Sequence, residues 1–116
     1  MDYNEYVSVR NTTKKTVLVD QVKFAQTILE KTRGLLGSDT PEVLLIKTRF
    51  GIHTFGMKYA IDVMILDKNN RVVKLRPSLP PNSIVLWNPK YDTIIEMPEG
   101  IIEKTHTEIG DLIELT

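Results

Sequence analysis

A chain of 116 residues with 15 Lys plus Arg against 15 Asp plus Glu has no formal net charge at pH 7, and it contains no cysteine. The length fits one domain that can fold without covalent staples. Without cysteine there are no disulfides, thiol nucleophiles, thiolate metal sites or iron–sulfur clusters, and balanced charge gives no global electrostatic case for nucleic acid. No apolar run approaches the roughly 20 residues of a membrane-spanning helix. The start, MDYNEYVSVRN, lacks the basic and apolar regions of a signal peptide. A soluble, cytoplasmic protein without a membrane partner is expected.

Residues 1–6 are expected to fray. Val7 to Asn11 reads as a short strand, Asn11 to Lys15 as a polar turn, and Thr16 to Val19 as the returning strand. Phe24, Ala25, Ile28, Leu29, Thr32, Leu35 and Leu36 then recur at three and four, which predicts an amphipathic helix from about Lys23 to Leu35, with Asp20 as a cap and Gly37 as its stop. Val43 to Thr48 is a strand. Phe50 to Tyr59, flanked by glycine, reads as a short strand or extended loop crossing one end of the core. Ile61 to Leu66 is apolar on both faces apart from Asp62, the pattern of a central strand. Lys68-Asn69-Asn70 turns the chain, because Asn adopts positive φ at low cost. Arg71 to Arg76 returns, with Val73 and Leu75 on one face and Val72, Lys74 and Arg76 on the other.

Pro77 to Ser83 is a stiff loop. Ile84 to Trp87, Thr93 to Met97, Ile101 to Lys104 and Leu112 to Leu115 read as further extended segments, separated by turns at Asn88 to Asp92, Pro98 to Gly100 and Glu108 to Asp111. About eight short strands and one helix make a mainly β domain, α+β by count: a single compact unit, either a partly closed barrel or a small sandwich with the helix packed on it.

Charge is uneven along the chain. Lys58 to Arg76 holds five basic and two acidic residues, and Asp92 to Glu114 holds seven acidic and one basic. The two runs are expected to pair across a sheet; the alternative is a polarised surface for a charged ligand.

The stretch GIHTFGMKYAIDVMILDKNNRVV (Gly51 to Val73) resembles the signature of a bacterial and archaeal family, domain-of-unknown-function family 192, also known as uncharacterised protein family 0127. Ala25 with TRGLLG (Thr32 to Gly37), EMPEG (Glu96 to Gly100) and IGD (Ile109 to Asp111) agree with it, so the resemblance spans Val17 to Leu115. Members usually carry a tryptophan or similar aromatic near the Phe55 position and Asp-Gly in the hairpin turn. Asn69-Asn70 stands in that turn here, which argues against a calcium loop. The resemblance implies a small, mostly β domain with one helix and implies no activity.

No serine sits in a nucleophile elbow, and neither phosphate-cradling glycine pattern is present, so no catalytic residue is assigned. His53 with Met57 offers an imidazole and a thioether, a pair that suits Cu(I), while imidazole with carboxylate suits zinc or a harder metal. The competing readings are core filling for Met57 and a backbone-satisfied polar group for His53, and no metal site or cofactor is assigned. A buried Asp62 must find donors, and main-chain N–H groups of the Gly56 to Ala60 loop are the expected ones. Phe55, Tyr59, Trp87 and Tyr91 either line a cleft with Lys58 and Arg76 or pack into the core. The preferred expectation is a non-enzymatic domain that binds a small molecule or protein partner, with His53, Met57, Lys58 and Asp62 lining the site. The alternative is a metal-dependent or hydrolytic enzyme using His53 and Asp62. Composition leaves the oligomeric state open.

Overall fold

The computed structural model describes residues 6–25, 43–49 and 51–116. Among these, the strands are β1 (Tyr6–Asn11), β2 (Thr16–Ala25), β3 (Leu44–Lys47), β4 (Ile52–His53), β5 (Ile61–Leu66), β6 (Val72–Leu79), β7 (Ile84–Val85), β8 (Thr93–Pro98) and β9 (Ile113–Leu115); a one-turn helix, α1, covers Ile101–Lys104. Seven strands form one sheet in the order β6-β5-β8-β3-β2-β1-β9, while β4 and β7 form a separate two-stranded ribbon. Among the described residues only β2 and β3 run parallel; the other paired strands are antiparallel.

The large sheet curls until its two edges meet at one end. Arg71 bridges Leu112, Val72 N–H donates to Asp111 O at 2.9 Å, and Ile113 N–H donates to Asn70 O at 2.9 Å. The edges touch there without closing a barrel. No helix among the described residues is long and apolar enough to cross a membrane.

The curl divides the core in two. Inside it lie Val9, Leu18, Met64, Leu66, Val72, Ile95, Met97, Ile102 and Ile113. On the other face lie Leu44, Ile46, Met57, Ile61, Val63, Ile65, Leu79, Val85 and Ile94. β5 serves both clusters by simple alternation, which is why all six of its residues are buried. Each large side chain buried this way contributes roughly 1.5–3 kcal/mol. The ribbon and the loop after β4 cover the second cluster, with Ile52, Tyr59, Trp87 and Tyr91 packed against it.

The hairpin turn forms as its sequence suggests. Asn70 has φ +62°, and the Asp67 carboxylate accepts the N–H groups of Asn69 and Arg71 at 2.8 and 2.9 Å.

Several expectations need correction. Lys23 to Ala25 are the last residues of β2, not the start of a helix, and they pair with Leu44 to Ile46. The remainder of the expected helix lies outside the described residues. Ile101 to Lys104, expected to be extended, is the helix α1. Val73 is the extra residue of a β-bulge between Val72 and Lys74. The bulge puts Val72 and Leu75 on the inner cluster and Val73 on the other, so the expected sharing of faces fails at Val72 and Val73, which exchange sides. Nor do the two charged runs neutralise each other: among the described residues Lys58, Lys68, Lys74 and Arg76 form no ion pair, and the pairs present join Lys14 to Glu108 and Asp111, and Arg49 to Asp92.

Candidate functional site

Asp62 is fully buried. It lies opposite Met97 of β8 on the face that carries Met64 and Leu66. A carboxylate there requires donors, and the chain supplies three main-chain N–H groups. Ser78 N–H reaches Oδ1 at 2.9 Å, while Gly100 and Ile102 N–H reach Oδ2 at 3.2 and 2.8 Å. Main-chain donors satisfy Asp62 as expected, but they come from β6 and the start of α1, not from the Gly56 to Ala60 loop. Two backbone irregularities aim them. Ser78 has φ +52° beside a bulge opposite Asp62, and Gly100 has φ +97°, a value that costs glycine little. Asp62 thereby caps α1 from a distant strand.

His53 and Lys58 are exposed on the other side of the sheet, and Met57 is buried in the outer cluster. The structure therefore brings His53, Met57 and Lys58 into one loop and separates Asp62 from them by the thickness of β5. No single small ligand touches both His53 and Asp62 in this arrangement.

The loop is held by a residue that pattern reading missed. Thr54 is buried; its hydroxyl donates to Pro80 O at 2.8 Å and accepts from Ser83 N–H at 2.8 Å. Its main chain adds Thr54 N–H to Ser83 O at 2.9 Å, with Asn82 and Met57 N–H donating to Thr54 O at 3.0 and 3.2 Å. A threonine between a histidine and a phenylalanine gives no sequence signal for this, because its partners are main-chain groups 26 to 29 residues away.

The ribbon is apolar on both faces. Ile52 pairs with Val85 and His53 with Ile84. Ile52 and Val85 turn inward to the core, so alternation sends His53, Ile84 and Leu86 outward. Ile84 and Leu86 are 60% and 66% exposed, and Phe55 is 46% exposed. Phe55 stacks on the His53 ring with centroids 4.8 Å apart, and its N–H donates to His53 Nδ1 at 3.3 Å. Gly51 completes the row: a Cβ there would lie 2.7 Å from Val85 O and 2.8 Å from Leu86 Cδ2. Trp87 Nε1–H donates to Tyr91 O at 2.8 Å. Of the four aromatics considered for a cleft, Tyr59, Trp87 and Tyr91 pack on the core and Phe55 faces outward.

A second polar cluster sits where the sheet edges meet. Asp111 Oδ2 accepts from Asn11 Nδ2 at 2.9 Å, Glu108 N–H at 2.9 Å and Lys14 Nζ at 3.0 Å. Burial pushes the Asp111 carboxyl up, but these donors outweigh it and hold the group below its ordinary value of 3.8. The same carboxylate raises Lys14 above 10.5. Thr105 and Thr107 share a hydroxyl bond at 2.7 Å, and Asn11 Nδ2 also reaches Thr107 Oγ1 at 3.1 Å. Every polar atom in this cluster serves another, so its role is to join β1, β9 and the Glu108 turn. An open groove beside it, lined by Arg10, Lys15, Glu114 and Thr116 among others, contains none of the four predicted site residues. Among the described residues no three His, Asp or Glu side chains converge as metal ligands do.

Comparison with known families decides the membership. The family model DUF192, described as "Uncharacterized ACR", matches residues 8–115. The chain belongs to this family. DUF192 relatives include a UPF0127 protein of Thermococcus sibiricus, 37% identical over 112 residues, covering 90% of this chain and 71% of that protein. A UPF0127 protein of Pyrococcus furiosus is 35% identical over 111 residues, covering 90% of this chain and 94% of its own length. Two solved structures share the DUF192 chain's fold at low identity. A protein of unknown function from Novosphingobium aromaticivorans superposes with TM-score 0.77 at 16% identity, covering 94% of this chain and 83% of that one. A putative transcription regulator from Sinorhizobium meliloti gives TM-score 0.73 at 14% identity, covering 96% and 92%.

Proposed function

We propose that this DUF192 chain is a non-catalytic binding domain for a small molecule or protein partner, and that its contact face is the outer side of the β4–β7 ribbon with the Gly51 to Tyr59 loop. The observation that carries this reading is the row His53, Phe55, Ile84 and Leu86, exposed together on a ribbon whose inner face already fills the core. Apolar side chains grouped on a surface, with none of them needed for folding, mark contact sites. His53 and Lys58 supply polar contacts at this face and Met57 its apolar floor. Asp62 belongs to the scaffold beneath it. Neither catalysis nor a metal is part of this reading, since His53 and Asp62, the pair an enzyme would need, face opposite sides of β5.

The test uses anilinonaphthalene sulfonate, an anionic aromatic dye that reports exposed apolar surface. The folded parent should enhance its fluorescence. Phe55→Ser and Leu86→Ser should each reduce that signal several-fold while leaving the melting temperature within a few degrees, because exposed positions carry little stability. An equal signal in parent and both variants would place the dye elsewhere and remove the ribbon as the contact face.

A further inference from the structure

The ribbon has a free edge as well as an apolar face. Thr54 N–H bonds Ser83 O at 2.9 Å, which makes Thr54 and Ser83 a hydrogen-bonded pair. Antiparallel ladders alternate such pairs with non-bonded ones, so His53 and Ile84 are a non-bonded pair and the main-chain N–H and C=O of His53 point away from β7. Among the described residues nothing pairs with them. On the β7 side, by contrast, Lys74 Nζ already occupies Leu86 O at 3.0 Å. The edge of β4 lies alongside the exposed His53 and Phe55 rings and, unlike that of β7, has no lysine bonded across it among the described residues.

Charge near this edge is mainly positive. The loop and the strands beside the ribbon carry Lys58, Lys74, Arg76 and Lys90, and the acid next in sequence, Asp92, is paired with Arg49. Lys74 and Arg76 stand on the ribbon's side of β6, opposite Ile65 and Val63, and Lys90 lies over the Tyr91 ring at 5.1 Å. Free strand edges recruit other strands unless they are blocked, and a mainly cationic surround repels basic segments and attracts acidic ones.

Resting on the proposed contact face, we infer that its partner is an extended peptide segment of another protein, rich in acidic residues and alternating with apolar ones, which adds to the free edge of β4 as a third strand. Main-chain bonds to His53 N–H and C=O fix its position. Its apolar side chains lie along Phe55, Ile84 and Leu86, and its carboxylates meet Lys58 and Arg76. This is strand addition, in which the main chain supplies affinity and alternate side chains supply specificity.

The probe is an acetylated, amidated heptapeptide alternating glutamate with valine and isoleucine, compared with its lysine analogue and with an analogue N-methylated on one edge. Binding is followed by amide shifts and by hydrogen exchange at His53. The expected result is saturable binding of the glutamate peptide, slowed exchange at His53, at least tenfold weaker binding of the lysine and N-methylated analogues, and at least tenfold loss in Leu86→Glu. Weakening by added salt should accompany it. Equal affinity for the glutamate and lysine peptides, or no effect of N-methylation, overturns the inference. So does salt-sensitive self-association of the parent that Leu86→Glu abolishes, since the occupant would then be a second copy of this chain. If anilinonaphthalene sulfonate still binds the ribbon while the peptide does not, the strand partner fails and the contact face stands.

Discussion

Asp62→Asn separates a structural carboxylate from a functional one. The aspartate accepts three buried main-chain N–H groups through two oxygens, and asparagine has a single oxygen to offer. With that oxygen in the Oδ2 position, Gly100 and Ile102 keep their acceptor, but Ser78 N–H faces an NH2 group. The reverse orientation loses two bonds. Even the better choice leaves one main-chain donor and the new amide hydrogens without acceptors in a site of zero exposure. Each buried unsatisfied group costs about 1–3 kcal/mol, so the expected loss is about 2–4 kcal/mol, a large share of the roughly 5–15 kcal/mol typical of a domain. Urea unfolding at pH 7 measures it, and amide exchange at Ser78 and Ile102 should quicken relative to the central strands. Dye binding at the ribbon should not change. A variant within about 0.5 kcal/mol of the parent, the range of an ordinary surface change, would refute the reasoning.

Four further outcomes follow from the geometry. The depressed Asp111 carboxyl stabilises the fold above its unfolded value near 3.8, and that contribution is lost as pH falls through the lower folded value; Asp111→Asn should flatten the acid side of a plot of urea midpoint against pH. Lys14 is raised above 10.5, so its contribution is complete below that pH and is lost as pH rises through the folded value; Lys14→Met should flatten the alkaline side and, because Lys14 is among the groups that depress Asp111, also part of the acid side. Thr54→Val removes an acceptor from Ser83 N–H and a donor from Pro80 O, which should cost about 1–3 kcal/mol in urea unfolding and loosen residues 80–83 in hydrogen exchange. Gly51→Ala forces a Cβ to within 2.7 Å of Val85 O at φ +94°; it should destabilise the ribbon and shift the Leu86 methyl resonances while leaving β5 and β8 unchanged.

The strands were legible wherever one local pattern decided them. Ile61 to Leu66 has β-branched apolar residues on both faces and could only be central; Asn69-Asn70 marked its own turn. What the sequence hid depended on distant partners. Ile101 and Ile102 favour a strand by propensity, yet Asp62 reaches across from β5 to hold their main chain as a helical turn. The Val73 bulge inserts one residue whose only sign is a change of face, which a hydrophobic pattern in a two-sided sheet cannot reveal. Ile84 to Trp87 looked like a uniform core run. Half of it is core, and half is outer surface, because burial on one side of a strand leaves no mark on the other when both are apolar. Asp62 lies close in sequence to the loop Gly51 to Tyr59, yet strand alternation sends it to the opposite face of the sheet.

An amide-shift map of the isotopically labelled protein titrated with phenol at pH 7 tests the central claim most directly. The account predicts shifts confined to residues 51–59 and 83–87, with Phe55 and Leu86 among the largest and Asp62, Ser78 and Ile102 unmoved. Shifts centred on Asp62 and α1, or spread evenly over the surface, would contradict it.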